Sequence, residues 1–216
     1  VRFEQMKSML ESEGLFDVSR KRSLPAYPEG IGVATSEDSA VWHDIKRTIK
    51  SRFPTVEIVL AHTLVQGTLA APMIADSVRS LSECPGIEVV LVARGGGSPE
   101  DLWPFNEESV ARAIFSSKIP VVTGVGHETD WTIADLVADV RASTPTGAAM
   151  QLVPDALDIA RKLNYSAFTL TTNIVAFLSN TNSSIESSVS TMNFHAPNTD
   201  NFKMNVDELV SRSDFL

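Results

Sequence analysis

The chain has 216 residues, 43% of them hydrophobic and 21% charged, with a mean hydropathy of +0.02 and a formal net charge of −9. Such a chain holds one core plus an appendage, and its acidity excludes a protein that coats nucleic acid by bulk electrostatics, while leaving room for a local basic site. No apolar run approaches the roughly 20 residues that span a bilayer, Val1-Arg2-Phe3-Glu4 lacks signal-peptide character, and Cys84 is the lone cysteine, so a cytoplasmic protein without membrane contact or disulfide is expected.

Residues 1–29 read as an N-terminal helix and linker. Because the chain begins with valine, it is expected to be a piece of a longer one. Two basic clusters, Arg20-Lys21-Arg22 and Lys46, Arg47, Lys50 and Arg52, read as solvated faces. From Ile31 onward strands and helices alternate. Ile31–Thr35, Val56–Ala61, Ile87–Ala93 and Pro120–Val125 are short β-branched runs suited to strands buried on both faces. Helical patterns separate them: Ser39–Phe53, stopped by Pro54; Thr68–Glu83, stopped by Pro85-Gly86; and Asn106–Lys118, with an Asn cap and first-turn acids Glu107 and Glu108. Thr144-Pro145-Thr146-Gly147 starts a further helix, with Thr capping and Pro at the first helical position. After Pro154, Leu157, Ala160, Asn164, Ala167, Thr171, Ile174 and Leu178 keep a 3-4 spacing that Ser and Thr weaken toward Thr191 and His195-Ala196-Pro197-Asn198 ends. The expected fold is a Rossmann-like three-layer α/β domain with a mostly parallel sheet over 30–153, followed by an extended α-helical, coiled-coil-like arm over 154–216.

Ligands on such sheets bind beyond the carboxyl ends of the strands, and the polar residues gather there. After the first strand come Thr35 and Ser36, then Asp44 in the next helix. After the third come Arg94, Gly95, Gly96, Gly97 and Ser98. The fourth is followed by Gly126-His127-Glu128-Thr129-Asp130. Three glycines at a strand end allow positive φ and expose backbone N–H groups to an anion, and the Arg94 fork suits phosphate oxygens. The same run also fits a surface turn whose arginine pairs with a carboxylate. His127 and Asp130, at i and i+3 near an expected helix start, suit a proton-transfer pair, although each also fits a role at the helix N-terminus. Asp44 by itself reads as a solvated helix residue. Trp103 and Phe105 are expected to seal the core edge rather than to stack on bases.

Together, Gly30-Ile31-Gly32-Val33-Ala34-Thr35-Ser36, Arg52-Phe53-Pro54, Leu64-Val65-Gln66-Gly67, Arg94 to Ser98 with Glu100 to Glu108, and Gly126 to Asp130 resemble the exonuclease VII large-subunit family over about Phe3 to Pro154. The resemblance implies a nuclease that degrades single-stranded DNA from both ends to oligonucleotides, with several copies of a small helical subunit bound along the arm. It also implies an oligonucleotide-binding domain before this region. It carries functional roles onto Asp44, Arg94, His127 and Asp130, with Thr35, Ser36 and Gly95 to Ser98 as substrate contacts. No cofactor is expected to be required. In that mechanism Arg94 and the glycine amides hold the phosphate, while His127, oriented by Asp130 or Asp44, moves the proton. The alternative has Asp44 and Asp130 hold a magnesium ion. Two readings from other classes stay open, a non-catalytic nucleotide- or phosphate-binding module and a scaffold for small subunits.

Overall fold

A computed structural model of the protein describes residues 2–96, 99–125, 130–195 and 199–213. The chain forms two compact units, Val1–Ala160 and Arg161–Leu216.

The first unit is built on strands β1 (Gly30–Thr35), β2 (Glu57–His62), β3 (Val89–Ala93), β4 (Val121–Gly124) and β5 (Val140–Arg141). They pair in the order β2-β1-β3-β4-β5, and every pairing is parallel. Helices α1 (Arg2–Ser12), α2 (Ala40–Arg52), α3 (Ala70–Glu83), α4 (Glu108–Ser116), α5 (Ile133–Val137) and α6 (Pro145–Leu152) cover both faces. Strand β3 shows why the sequence demands this. Val90 and Val92 enter one core with α1, α3, α4 and α5, whereas Val89, Leu91 and Ala93 enter a second core with α2 and α6. Side chains alternate across a strand, so five apolar residues in succession require cover on each side. Each fully buried Val or Leu contributes about 1.5–3 kcal/mol.

The expected strands and helices stand within a few residues of their sequence bounds, and local chemistry explains the ends. Ser39 caps α2, its Oγ accepting from the Trp42 N–H at 3.2 Å, and Thr144 caps α6, accepting from the Gly147 N–H at 2.9 Å with Pro145 in the first turn. One expected cap is corrected. Glu107, not Asn106, occupies the cap position of α4, and Asn106 Oδ1 instead accepts from the Ile133 N–H at 2.9 Å. That bond joins the β3–α4 connection to the start of α5, a use of asparagine visible only in three dimensions. Strand β5 also escapes the sequence, because two residues are too few to show alternation.

The Arg20-Lys21-Arg22 cluster is not a solvated face. Arg20 donates to the Leu15 and Val137 carbonyls, and the Arg22 guanidinium and backbone N–H both bind the Asp139 carboxylate, which also accepts from the Val121 N–H at 2.7 Å. This clamp ties the N-terminal segment to the starts of β4 and β5, at the sheet end opposite the polar loops. Burial alone would raise the Asp139 carboxyl, but the Arg22 side chain, the two backbone N–H donors and the Arg22 charge outweigh it and hold it below the usual range.

In the second unit, α8 spans Thr199–Ser213, and α7 (Ala156–His195, 40 residues) supplies most of the remainder. The Ser/Thr stretch is helical, and its hydroxyls bond back to carbonyls four residues earlier, as in Thr172 to Phe168, Thr181 to Phe177 and Ser188 to Ser184, a local bond that slightly weakens a helix. Phe168, Ile174, Phe177 and Leu178 are all exposed.

Because the Asp139 value is depressed in the folded state, the clamp stabilises the protein above the unfolded carboxylate pKa of about 3.9 and loses that contribution as pH falls through the folded value. Asp139→Asn is expected to lower stability by about 3 kcal/mol near neutral pH. In urea denaturation the gap to the unsubstituted chain should narrow on acidification below about pH 4; equal stability at pH 7 would show that the clamp is idle.

Candidate active site

Strands β2 and β3 lie on opposite sides of β1, so the chain grows first one way and then the other. With right-handed crossovers, α2 and α3 then fall on opposite faces, and the loops leaving β1 and β3 part to open a crevice at the carboxyl end of the sheet. A cleft of about 400 Å³ occupies that place. Ser36, Ser39, Ala40 and Val41 line it from beyond β1, Leu64, Val65 and Gln66 from beyond β2, and Arg94, Gly95 and Gly96 from beyond β3.

Arg94 is the only cation among the described lining residues, and it is 4% exposed. A guanidinium at that depth must be paired. Its Nη2 lies 3.2 Å from Asp101 Oδ2, on the 3₁₀ helix Pro99–Asn106 that follows the glycine run, and its backbone N–H donates to the Gly124 carbonyl at 3.3 Å. The strand end that carries the charge is therefore tied to the end of β4. The arginine–carboxylate pair anticipated for a plain surface turn exists here, but inside a cleft.

The glycines act differently from the expectation. Neither Gly95 nor Gly96 adopts positive φ. Gly95 is required for close packing, because a Cβ there would lie 2.7 Å from Val41 Cγ2, whereas a Cβ on Gly96 would meet nothing within 4 Å. Gly96 thus leaves open space beside Arg94 for a ligand to approach the backbone.

Of the other expected residues, Ser36 lines the cleft and its carbonyl accepts from the Ser39 hydroxyl at 2.6 Å, which shapes the turn into α2. Thr35 ends β1 at 1% exposure, and its Oγ1 has no hydrogen-bond partner among the described residues. Asp44 does not line the cleft. It stands one helical turn from Ala40 and Val41 on the same face of α2, with Oδ1 accepting from Arg47 at 2.7 Å. Asp130 lies in irregular chain before α5, so the helical i, i+3 argument does not apply to it. Thr132 and Asp135 form the α5 capping box, with Asp135 also accepting from the Thr123 hydroxyl at 2.6 Å. His127, Gly97 and Ser98 lie outside the described residues. Among the described residues no group of three His, Cys, Asp or Glu side chains could hold a metal ion. Sequence reasoning missed the third wall of the cleft, Leu64 to Gln66. These residues entered only through the family resemblance, since nothing in their own chemistry announces a site.

The arrangement puts a buried fixed cation and open backbone at a switch point, features that suit an anion. A family model described as "Exonuclease VII, large subunit" matches residues 15–214. The chain belongs to the exonuclease VII large-subunit family. It is 43% identical over 217 residues to the exodeoxyribonuclease 7 large subunit of Salinibacter ruber, covering 97% of this chain and 54% of that protein. The large subunit of the same name from Alkaliphilus metalliredigens is 52% identical over 162 residues, covering 75% of this chain and 40% of its own. That of Lysinibacillus sphaericus is 51% identical over 163 residues, covering 76% and 36%. The chain thus spans about half or less of the length of these exonuclease VII relatives.

The two glycines separate by substitution. Gly95→Ala is expected to cost about 1–3 kcal/mol through overlap with Val41, and Val41→Ala in the same chain should recover part of that. Gly96→Ala should stay within about 0.5 kcal/mol of the original. Thermal or urea unfolding of the four chains checks this; equal penalties at Gly95 and Gly96 would refute the packing assignment.

Proposed function

We propose that this chain is the catalytic portion of an exonuclease VII large subunit, hydrolysing phosphodiester bonds of single-stranded DNA from both ends to oligonucleotides. The observation that carries the reading is Arg94, a buried guanidinium at the β1/β3 switch point of a chain in this family. Its planar fork suits the two non-bridging phosphate oxygens, and Asp101 holds it in place. Serving there, Arg94 offsets the charge that grows on the phosphate in the transition state, and the open backbone at Gly96 admits the phosphate close by. Ser36, Thr35, Gly95, Gly97 and Ser98 complete the substrate contacts.

Arg94 cannot move protons near neutral pH, so another group must activate water or protonate the leaving oxygen. We assign that task to His127, oriented by Asp130 or Asp44. Asp44 has a supporting position one turn beyond the cleft lip. No metal enters this scheme; in the competing one Asp44 and Asp130 carry magnesium. The exposed apolar side chains of α7 support the second proposed partner, several copies of a small helical subunit packed along the arm. No helix among the described residues is long and apolar enough to cross a membrane, and Cys84 is free, in keeping with action on DNA in the cytoplasm.

Release of acid-soluble label from single-stranded DNA, by the full-length large subunit assembled with its small subunit, tests the scheme. His127→Ala should lower turnover by about 10²–10⁴. Arg94→Lys, which keeps the charge and loses the fork, should lower it as well while the protein remains folded. Undiminished turnover in the His127 variant would remove histidine from the mechanism. Loss of activity in chelator would transfer the chemistry to a magnesium ion at Asp44 and Asp130.

A further inference from the structure

A second cleft, of about 420 Å³, adjoins the first along the β2–α3 loop. Leu64, Val65 and Gln66 line the Arg94 cleft, and the next two residues, Gly67 and Thr68, line this one. Gly67 sits between them at φ +89°, in the left-handed region that lets the chain turn there. The opposite wall is the connection from β3 into α4, which supplies Trp103, Pro104 and Glu107, and Pro72 of α3 closes the side. Both clefts therefore open on the rim formed by the loops that follow β2 and β3.

Their chemistry differs. Among the described residues that line the second cleft there is no cation, and Glu107 brings a carboxylate, so the cleft repels a phosphate. What it offers is an aromatic plane between prolines. Trp103 is 40% exposed, and its indole N–H donates to Glu107 Oε1 at 2.8 Å, which fixes one edge of the ring against Glu107. The expectation that Trp103 and Phe105 both seal the core holds for Phe105 alone, which is fully buried. A large, oriented, half-exposed indole beside an anion site matches what an unpaired nucleobase requires, because stacking uses the ring face and asks for no charge.

We infer that the Trp103 cleft is a nucleobase subsite, in which a base of the single strand stacks on the indole while a neighbouring phosphate lies against Arg94. The inference rests on the reading of the Arg94 cleft as the phosphate site. Stacking uses the ring face that every base presents, so the cleft serves any sequence, as a degrading nuclease needs. It also rejects duplex ends, whose bases are paired and stacked on each other.

The test compares binding of two labelled oligomers of equal length and charge by the 216-residue chain, using fluorescence anisotropy. One is a short oligothymidylate and the other has the same backbone with every base removed. The unsubstituted chain should bind the base-bearing strand about 5- to 150-fold more tightly, the range that stacking supplies per base. Trp103→Leu should bring that ratio close to one with the affinity for the abasic strand unchanged, and Trp103→Phe should keep most of it. Pro72→Trp, which fills the cleft from its other wall, should abolish the preference with the indole still present. A preference that survives both Trp103→Leu and Pro72→Trp overturns the subsite, as does an equal loss for the two strands. If the abasic strand binds and bases add nothing, only the subsite falls. If neither strand binds, the phosphate reading falls and the subsite with it.

Discussion

A parallel sheet that grows in both directions from one strand must leave a gap at the strand where it began. Here β1 has β2 on one side and β3 on the other, so the chain leaving β1 turns toward one face while the chain leaving β3 turns toward the other. No helix can cover the divide. Arg94 follows β3 directly, and the strand delivers its guanidinium into the gap, where it is nearly fully buried and still reachable from the cleft. The same divide lets Val41 come against Gly95, so α2 and the glycine run define each other's position. Cleft, cation and close backbone approach are thus three consequences of one topological fact.

Burying that charge has its own cost, and the neighbouring structure offsets it. Asp101 provides the counter-charge, the Gly124 carbonyl anchors the backbone, and the Asn106–Ile133 bond steadies the connection that bears Asp101. The opposite end of the sheet is organised by a different pair. Arg22 and Asp139 fasten the N-terminal segment where β4 and β5 begin. The clamp and the Arg94 cleft therefore stand at opposite ends of the strands. Two tryptophans stand at the carboxyl end of the sheet as well, Trp103 in its cleft and Trp131 with the Arg141 guanidinium 4.2 Å from its ring centroid.

Much of the scaffold was legible before any coordinates. Apolar runs bounded by Gly and Pro marked the longer strands, and Ser39 and Thr144 announced their helices, because these signals act over a few residues of chain. The expected sheet was mostly parallel and the observed one is wholly so. Residues whose partners are remote were misread or missed. Arg20 and Arg22 looked solvated because Val137 and Asp139 are more than a hundred positions away, and Asn106 looked like a cap because its true partner, Ile133, stands in another loop. In the site, Arg94 with Ser36, Gly95 and Gly96 came together, whereas Asp44 and Asp130 stand outside the cleft lining.

What the sequence alone determined is the order of buried strands and covering helices, the cationic strand end at Arg94, and the family, since several motifs in a fixed order leave few other readings. Tertiary structure decided which strand ends face each other, and with that the cleft. It turned Gly95 from an expected positive-φ member of an anion cradle into a packing position against Val41, added Leu64 to Gln66 as a wall, and set Trp103 near the Arg94 cleft while it buried Phe105. The physical reason is range. Propensity, capping and alternation are written in neighbouring residues, but a site at a switch point is made by strands whose adjacency depends on the whole sheet closing in one order.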